Sequence, residues 1–254
     1  MSTSAAITSL DRYGVCVIDN MLTKSLLDEV RGSDVAKTMP TSNSTKRATR
    51  QKPAHFSRET SEWRLSSVGR YHRREETFNE DDVKLFERVE AHIWPLVVAF
   101  FEEDKQGQGI FRSEMQILNA VPGSASQTWH SDNRSRGLSI IIPLCEFTVD
   151  NGGTQLLPGS HNKTWSLVAQ QGAQVVEAPA GSIAAYDSRT YHRGLGNQTG
   201  EGRPALIFCY DRTSSPPPGC GTYGMIANAS LAGMLNIVTA GWLTCVSAWK
   251  GGGV

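Results

Sequence analysis

Three residues constrain this chain more than any others: His130, Asp132 and, sixty positions on, His192. Two imidazoles and one carboxylate can occupy one face of an octahedral cation and leave three positions open. That is the donor set of non-haem Fe(II) oxygenases. In an extended strand, residues i and i+2 point to the same side, so His130 and Asp132 can reach one ion together. His192 must then arrive from another strand, and only a fold that doubles back can bring it there. Taken alone, His-x-Asp also fits a surface turn beside an unrelated histidine, and the flanking sequence has to decide.

The flanking sequence favours the shared site. Arg203 follows His192 by eleven positions and opens the apolar run Pro204 to Tyr210. Such a run reads as a buried strand. A guanidinium on it is placed to bind a carboxylate through two parallel hydrogen bonds. From Phe111 to Asp211 short strand-like segments alternate with turns at Pro122-Gly123, Asn151-Gly152, Pro158-Gly159, Gly181 and Asn197. That cadence predicts a mainly β, double-stranded β-helix (jelly roll, cupin-like) core over about 111–212.

Before it, "YGVCVID" over 13–19 reads as a strand, and Thr23 as the N-cap of a helix running to about Arg31. Residues 81–101 carry a helical stripe of Val83, Leu85, Phe86, Val89, Ile93 and Leu96, read as a buttress on one sheet. Pro95 lies inside that stripe and is expected to kink or break the helix. His92 in the same stripe, and His161 after the Pro158-Gly159 turn, are read as structural. The expected organisation is one domain over 1–254, with an N-terminal helical layer and lid to about 110 and a helical tail over about 220–250.

The string Gln127-x-x-His130-x-Asp132, the segment "NGGTQLLPGSH" and "AGSIAAYDSRTYHRG…NQTGEGRPALIFCYDR" together resemble the phytanoyl-CoA dioxygenase (PhyH) family. "LDRYGVCVIDNMLTKSLLDEV" is similar to that family's opening. The resemblance implies a jelly roll that couples substrate oxidation to decarboxylation of 2-oxoglutarate. It implies His130, Asp132 and His192 as ligands of Fe(II), and Arg203 as the anchor of the 2-oxoglutarate distal carboxylate. Gln127, Thr154 and Asn119 fall where co-substrate contacts are expected, with O2 as the second co-substrate. Related halogenases replace the carboxylate ligand with a small residue, so Asp132 favours hydroxylation, desaturation or oxidative cyclisation. The rival expectations are a catalytically silent jelly-roll ligand-binding protein and a cupin metalloenzyme that does not use 2-oxoglutarate.

Composition bounds the partners. Twenty-five basic residues balance twenty-five acidic ones, so no general attraction to nucleic acid is expected. Cys16, Cys145, Cys209, Cys220 and Cys245 show no metal-type pairing, and no secretory leader opens the chain. A reducing, cytoplasmic setting is the expectation, with an organellar address left open. The basic stretch over 42–74, with His55, Trp63 and Tyr71, reads either as a solvated loop or as a lid favouring a small anionic metabolite. The uncharged segment 223–249 reads as an amphipathic helix packing on the barrel or on a second subunit, with membrane association as the minority alternative.

Overall fold

The structure is a computed structural model that describes residues 1–39, 70–74, 78–102, 109–164 and 172–217, with backbone alone at 70–74. Most of the basic 42–74 stretch and the 220–250 tail, with the readings attached to them, lie outside the described residues.

The chain opens with α1 (Thr3–Tyr13), capped at Ser2 and closed by Gly14 in the left-handed region, and runs into β1 (Val15–Ile18). The next helix, α2 (Lys24–Gly32), begins at Thr23 as expected, because the Thr23 hydroxyl accepts from the Leu26 N–H at 3.2 Å. A short α3 (Asp34–Lys37) follows, then β2 (Arg70–Arg74).

The long α4 (Glu80–Phe101) carries Glu80, Asp81 and Asp82 in its first turn, where carboxylates favour the positive end of the helix dipole. It runs through Pro95 without breaking, so of the two expected effects, a kink or a break, the break does not occur. Proline removes one backbone hydrogen bond, but Ile93, Trp94, Leu96 and Val97 around it are all buried, and that packing holds the helix together. Glu90 on its buried face meets the Arg112 guanidinium and accepts from the Tyr210 hydroxyl at 2.9 Å, tying α4 to two strands beneath it.

Those strands belong to a six-stranded antiparallel sheet ordered β1-β7-β4-β9-β3-β2. Its remaining members are β3 (Ile110–Ala120), β4 (Leu138–Pro143), β7 (Ile183–Asp187) and β9 (Arg203–Arg212). Alternation divides its side chains. Ile140, Ile142, Leu206, Phe208 and Tyr210 pack with Phe86, Val89 and Ile93 of α4 in one apolar cluster. Ile141, Ala184, Tyr186 and Ala205 on the opposite face form a second cluster with Phe147, Leu156 and Val176. Leu156 lies on β5 (Thr154–Leu156), the centre of a small sheet flanked by β6 (Gln174–Val175) and β8 (His192–Gly194). The layers are therefore helix, large sheet and small sheet.

This is a mixed α+β fold, and a closed jelly-roll barrel is not formed among the described residues. The small sheet has strands of three, two and three residues, extended only by the isolated bridges His130–His192 and Phe147–Ala178. Turns rich in glycine and proline interrupt the segments between, and a Pro or Gly interior does not sustain a ladder. Among the described residues no helix is long and apolar enough to cross a membrane.

Candidate metal centre

His130 and His192 are partners in an antiparallel bridge. The His130 N–H donates to the His192 carbonyl at 3.0 Å and the His192 N–H returns the bond at 2.8 Å. Directly opposed residues present their side chains on one face, and the two imidazole centroids lie 4.3 Å apart. Asp132 is reached differently from the expected strand alternation. The chain leaves the bridge after His130 and bends, and the Asp132 N–H is held by the Ser188 carbonyl at 2.8 Å. Its Oδ1 then lies 3.5 Å from His192 Nε2 and 3.9 Å from His130 Nε2. The ligand atoms of the three residues fall within 4.8 Å of one another, the one such cluster among the described residues.

The hydrogen bonds around the cluster fix what each donor can offer. His130 Nδ1 lies 2.9 Å from the Thr128 carbonyl and His192 Nδ1 lies 3.0 Å from the Thr190 carbonyl. A carbonyl only accepts, so each Nδ1 carries a ring proton, and Nε2 is the atom of each ring that can offer a lone pair to a cation. On Asp132, Oδ2 accepts from the Ser139 hydroxyl at 2.7 Å and the Tyr186 hydroxyl at 3.3 Å. Burial pushes the Asp132 carboxyl up. His192 and His130 beside it, with the Ser139 and Tyr186 hydroxyls, outweigh burial and hold it below the usual carboxylate range. Two imidazole Nε2 atoms and one carboxylate oxygen, converging from one side, are a donor set that fits a first-row divalent cation such as Fe(II).

Of the other residues singled out from the sequence, Arg203 and Asn119 lie on opposite faces of the large sheet, while Thr154 and Gln127 lie outside it. Arg203 opens β9 opposite Ala120, is 2% exposed, and lays its guanidinium 4.3 Å over the Phe147 ring. It shares the inner face with Ala205 by alternation. Thr154 is buried opposite Gly194 on β5, on the same face as Leu156, which pairs with His192. Gln127 spends its carbonyl locally. Its N–H donates to the Gly194 carbonyl at 2.8 Å, and its Oε1 accepts from the Gly194 N–H at 2.7 Å, so it staples β8 beside His192. Asn119 is not brought to this group. It sits opposite Pro204, in phase with Met115 and Ile117 on the helix-packed face.

Both histidines read as structural stay apart from the cluster. His161 is buried, with Nε2 on the Asp11 carbonyl at 3.2 Å, and His92 is exposed with Nδ1 on Arg88 O. Arg189, three residues before His192, pairs instead with Asp187 at 2.7 Å. Ser139 and Tyr186 were not singled out from the sequence. Their signal is a polar side chain within "LSIIIP" and "IAAYD", strands buried throughout. A buried polar group needs a partner, and here the partner is Asp132.

The family model for phytanoyl-CoA dioxygenase (PhyH) matches residues 10–205. Among solved structures, the chain is similar to the non-haem alpha-ketoglutarate-dependent carbocyclase SnoK from nogalamycin biosynthesis. That likeness has TM-score 0.65 and 17% identity, covering 91% of this chain and 92% of SnoK. It is similar to the epimerase SnoN in complex with Fe3+, alpha-ketoglutarate and nogalamycin RO, with TM-score 0.63, 14% identity and coverage of 90% and 94%. EctD from S. alaskensis, with 2-oxoglutarate and 5-hydroxyectoine, gives TM-score 0.64, 16% identity and coverage of 91% and 86%. At these identities the likeness is one of fold.

Proposed function

This chain belongs to the phytanoyl-CoA dioxygenase (PhyH) family of iron- and 2-oxoglutarate-dependent enzymes, and on that premise we propose that it oxidises a C–H bond of a small metabolite. His130, Asp132 and His192 hold the iron in this reading, and Arg203 holds the distal carboxylate of 2-oxoglutarate. The observation that carries it is the convergence of one ligand atom each from His130, Asp132 and His192 within 4.8 Å of one another.

Iron and 2-oxoglutarate held by these residues would supply the oxidising chemistry, with succinate and carbon dioxide as co-products. The chain's own residues supply position and charge. The Thr128 and Thr190 carbonyls keep both imidazoles in the ligating tautomer. The Phe147 ring packs against the Arg203 guanidinium, whose planar fork suits a bidentate bond to a carboxylate. Thr154 offers a hydroxyl on the same buried face, and Gln127 retains only its amide N–H groups for a co-substrate. Asp132 fills the carboxylate position, so the site favours oxygenation, desaturation or ring closure over halogen transfer. SnoK and SnoN belong to nogalamycin biosynthesis and EctD was seen with 5-hydroxyectoine, which supports a small-metabolite substrate here.

A silent ligand-binding role would need neither matched tautomers nor a carboxylate held ionised among them. The test is anaerobic titration of the metal-free protein with Fe(II) and 2-oxoglutarate. The expected result is the visible charge-transfer band of a metal-chelated 2-oxo acid, absent from His130→Ala. No band in the unsubstituted protein would overturn the proposal.

A further inference from the structure

Tyr186 on β7 pairs in register with Ser139 on β4, so the two side chains stand beside each other on the inner face of the large sheet. Both are buried, Ser139 completely. Ser139 Oγ lies 2.7 Å from Asp132 Oδ2 and 3.2 Å from Ser188 Oγ. Asp132 Oδ2 can only accept when ionised, so the Ser139 proton goes to it, and the Ser188 hydroxyl supplies the bond to Ser139. Oδ2 therefore has one short, permanent donor.

The second donor has two destinations. The Tyr186 hydroxyl lies 3.3 Å from Asp132 Oδ2 and 3.2 Å from His192 Nε2, and its ring centroid is 4.5 Å from that imidazole. His192 Nδ1 carries a proton for the Thr190 carbonyl, so in the neutral ring Nε2 is the acceptor. One phenol proton faces two acceptors. A cation that takes the Nε2 lone pair removes one of them and leaves Oδ2 alone.

Resting on the metal-centre reading above, we infer that Ser139 and Tyr186 are positioning residues that commit Asp132 Oδ2 to hydrogen bonds and restrict Asp132 to one-oxygen ligation through Oδ1. Tyr186 caps His192 Nε2 in the metal-free protein and turns fully to Oδ2 when a cation binds. The consequence is a matter of coordination number. Three protein donors leave three positions on an octahedral ion, two for a chelating 2-oxo acid and one for dioxygen. If Oδ2 also bound, the carboxylate would take one of those three. Two hydroxyls on Oδ2 keep that position open.

The probe is Co(II), titrated anaerobically into metal-free protein, with affinity and the visible d–d spectrum as readouts and no turnover required. Ser139→Ala, Tyr186→Phe and the double variant are compared with Ser139→Thr, which retains the hydroxyl. Circular dichroism and thermal unfolding identify variants that keep the fold. Each single variant is expected to change Co(II) affinity and the spectrum. The double variant should lose roughly tenfold or more in affinity, the usual effect of removing groups that orient a ligand. Its d–d intensity should fall, as it does when coordination number rises, and added 2-oxoglutarate should perturb the spectrum less. Ser139→Thr should behave as the unsubstituted protein. A folded Tyr186→Phe or double variant with unchanged Co(II) affinity and spectrum would overturn the inference and leave the metal centre standing. An unsubstituted protein that binds no Co(II) would overturn both.

Discussion

His130 and His192 are joined through their main chains, not their side chains: two backbone hydrogen bonds, of 3.0 and 2.8 Å, make them a directly opposed pair. The imidazoles are thus delivered by the ladder, and neither ring is needed to form it. His130→Gln and His192→Gln should keep the bridge and the fold while losing metal affinity by well over the roughly 10–100-fold typical of changes to ligand-orienting groups. Metal titration beside thermal unfolding checks this. A large loss of stability in the metal-free variants would mean that the rings themselves hold the bridge.

Arg203 sets its guanidinium carbon 4.3 Å from the centroid of the Phe147 ring, in a buried position at the start of β9. A charge-assisted hydrogen bond contributes about 1.5–3 kcal/mol, so Arg203→Lys, which loses the planar fork, should weaken 2-oxoglutarate binding roughly tenfold or more. Arg203→Ala should also erase the preference for 2-oxoglutarate over pyruvate, which has no distal carboxylate. The competition is followed by the charge-transfer band. An Arg203→Ala protein that still discriminates between the two acids would remove Arg203 from the co-substrate site.

Much of this was legible in the sequence, and the failures have physical causes. His130, Asp132 and His192 were visible because metal ligation uses few residue types, and Thr23 and α4 because caps and helical stripes are local signals. The continuous helix through Pro95 was not legible, since tertiary packing around Ile93 and Trp94 overrides a local breaker. The two-sheet layering followed from the turn spacing, but that spacing reports strands and not whether the sheet edges meet. Asn119 and Ser139 illustrate register. Which face a strand residue takes depends on its pairing, and one residue of phase separates Asn119, among the helix-packed side chains, from the face that carries Arg203.

Gly14 sits where α1 gives way to β1, with φ of +70°, and its carbonyl accepts from the Thr190 hydroxyl at 3.0 Å and the Asp187 N–H at 3.0 Å. A methyl group here would run into His161 Nδ1 and stand 2.6 Å from Thr190 Oγ1. The left-handed conformation costs an L-residue roughly 1–2 kcal/mol and overpacking about 1–3 kcal/mol more. Gly14→Ala should therefore lose about 2–5 kcal/mol in urea unfolding. Metal affinity should fall with it, because the Thr190 carbonyl that would be displaced holds His192 Nδ1. A destabilised variant with unchanged metal affinity would separate the two effects and show that the Thr190 carbonyl keeps its place.

Asp211 lies near the metal centre without belonging to it. It is 2% exposed and accepts from the Ser113 hydroxyl at 2.5 Å and the Asn133 amide at 2.7 Å. Burial pushes its carboxyl from 3.8 up to about 6; the Ser113 and Asn133 hydrogen bonds oppose this, and the negative charge of Asp132 and Glu114 adds to it. A pKa raised on folding places the stability at low pH. Below about 3.8 both states are protonated and nothing is lost. Between there and about 6 the unfolded chain ionises first, so stability falls as pH rises, and above that range it levels off. The rise from 3.8 to about 6 corresponds to a loss on the order of 3 kcal/mol. Asp132 has the opposite sign, being depressed, so the comparison needed is with Asp211→Asn, which preserves both neighbours' hydrogen bonds. Urea unfolding of the metal-free proteins between about pH 4 and about pH 7 should show the variant gaining on the unsubstituted protein as pH rises. A cation at Asp132 neutralises the repulsion that helps raise Asp211, so the same series with Co(II) present should show a smaller gap. A difference independent of pH would mean that Asp211 is already ionised in the native state at the acid end of the range.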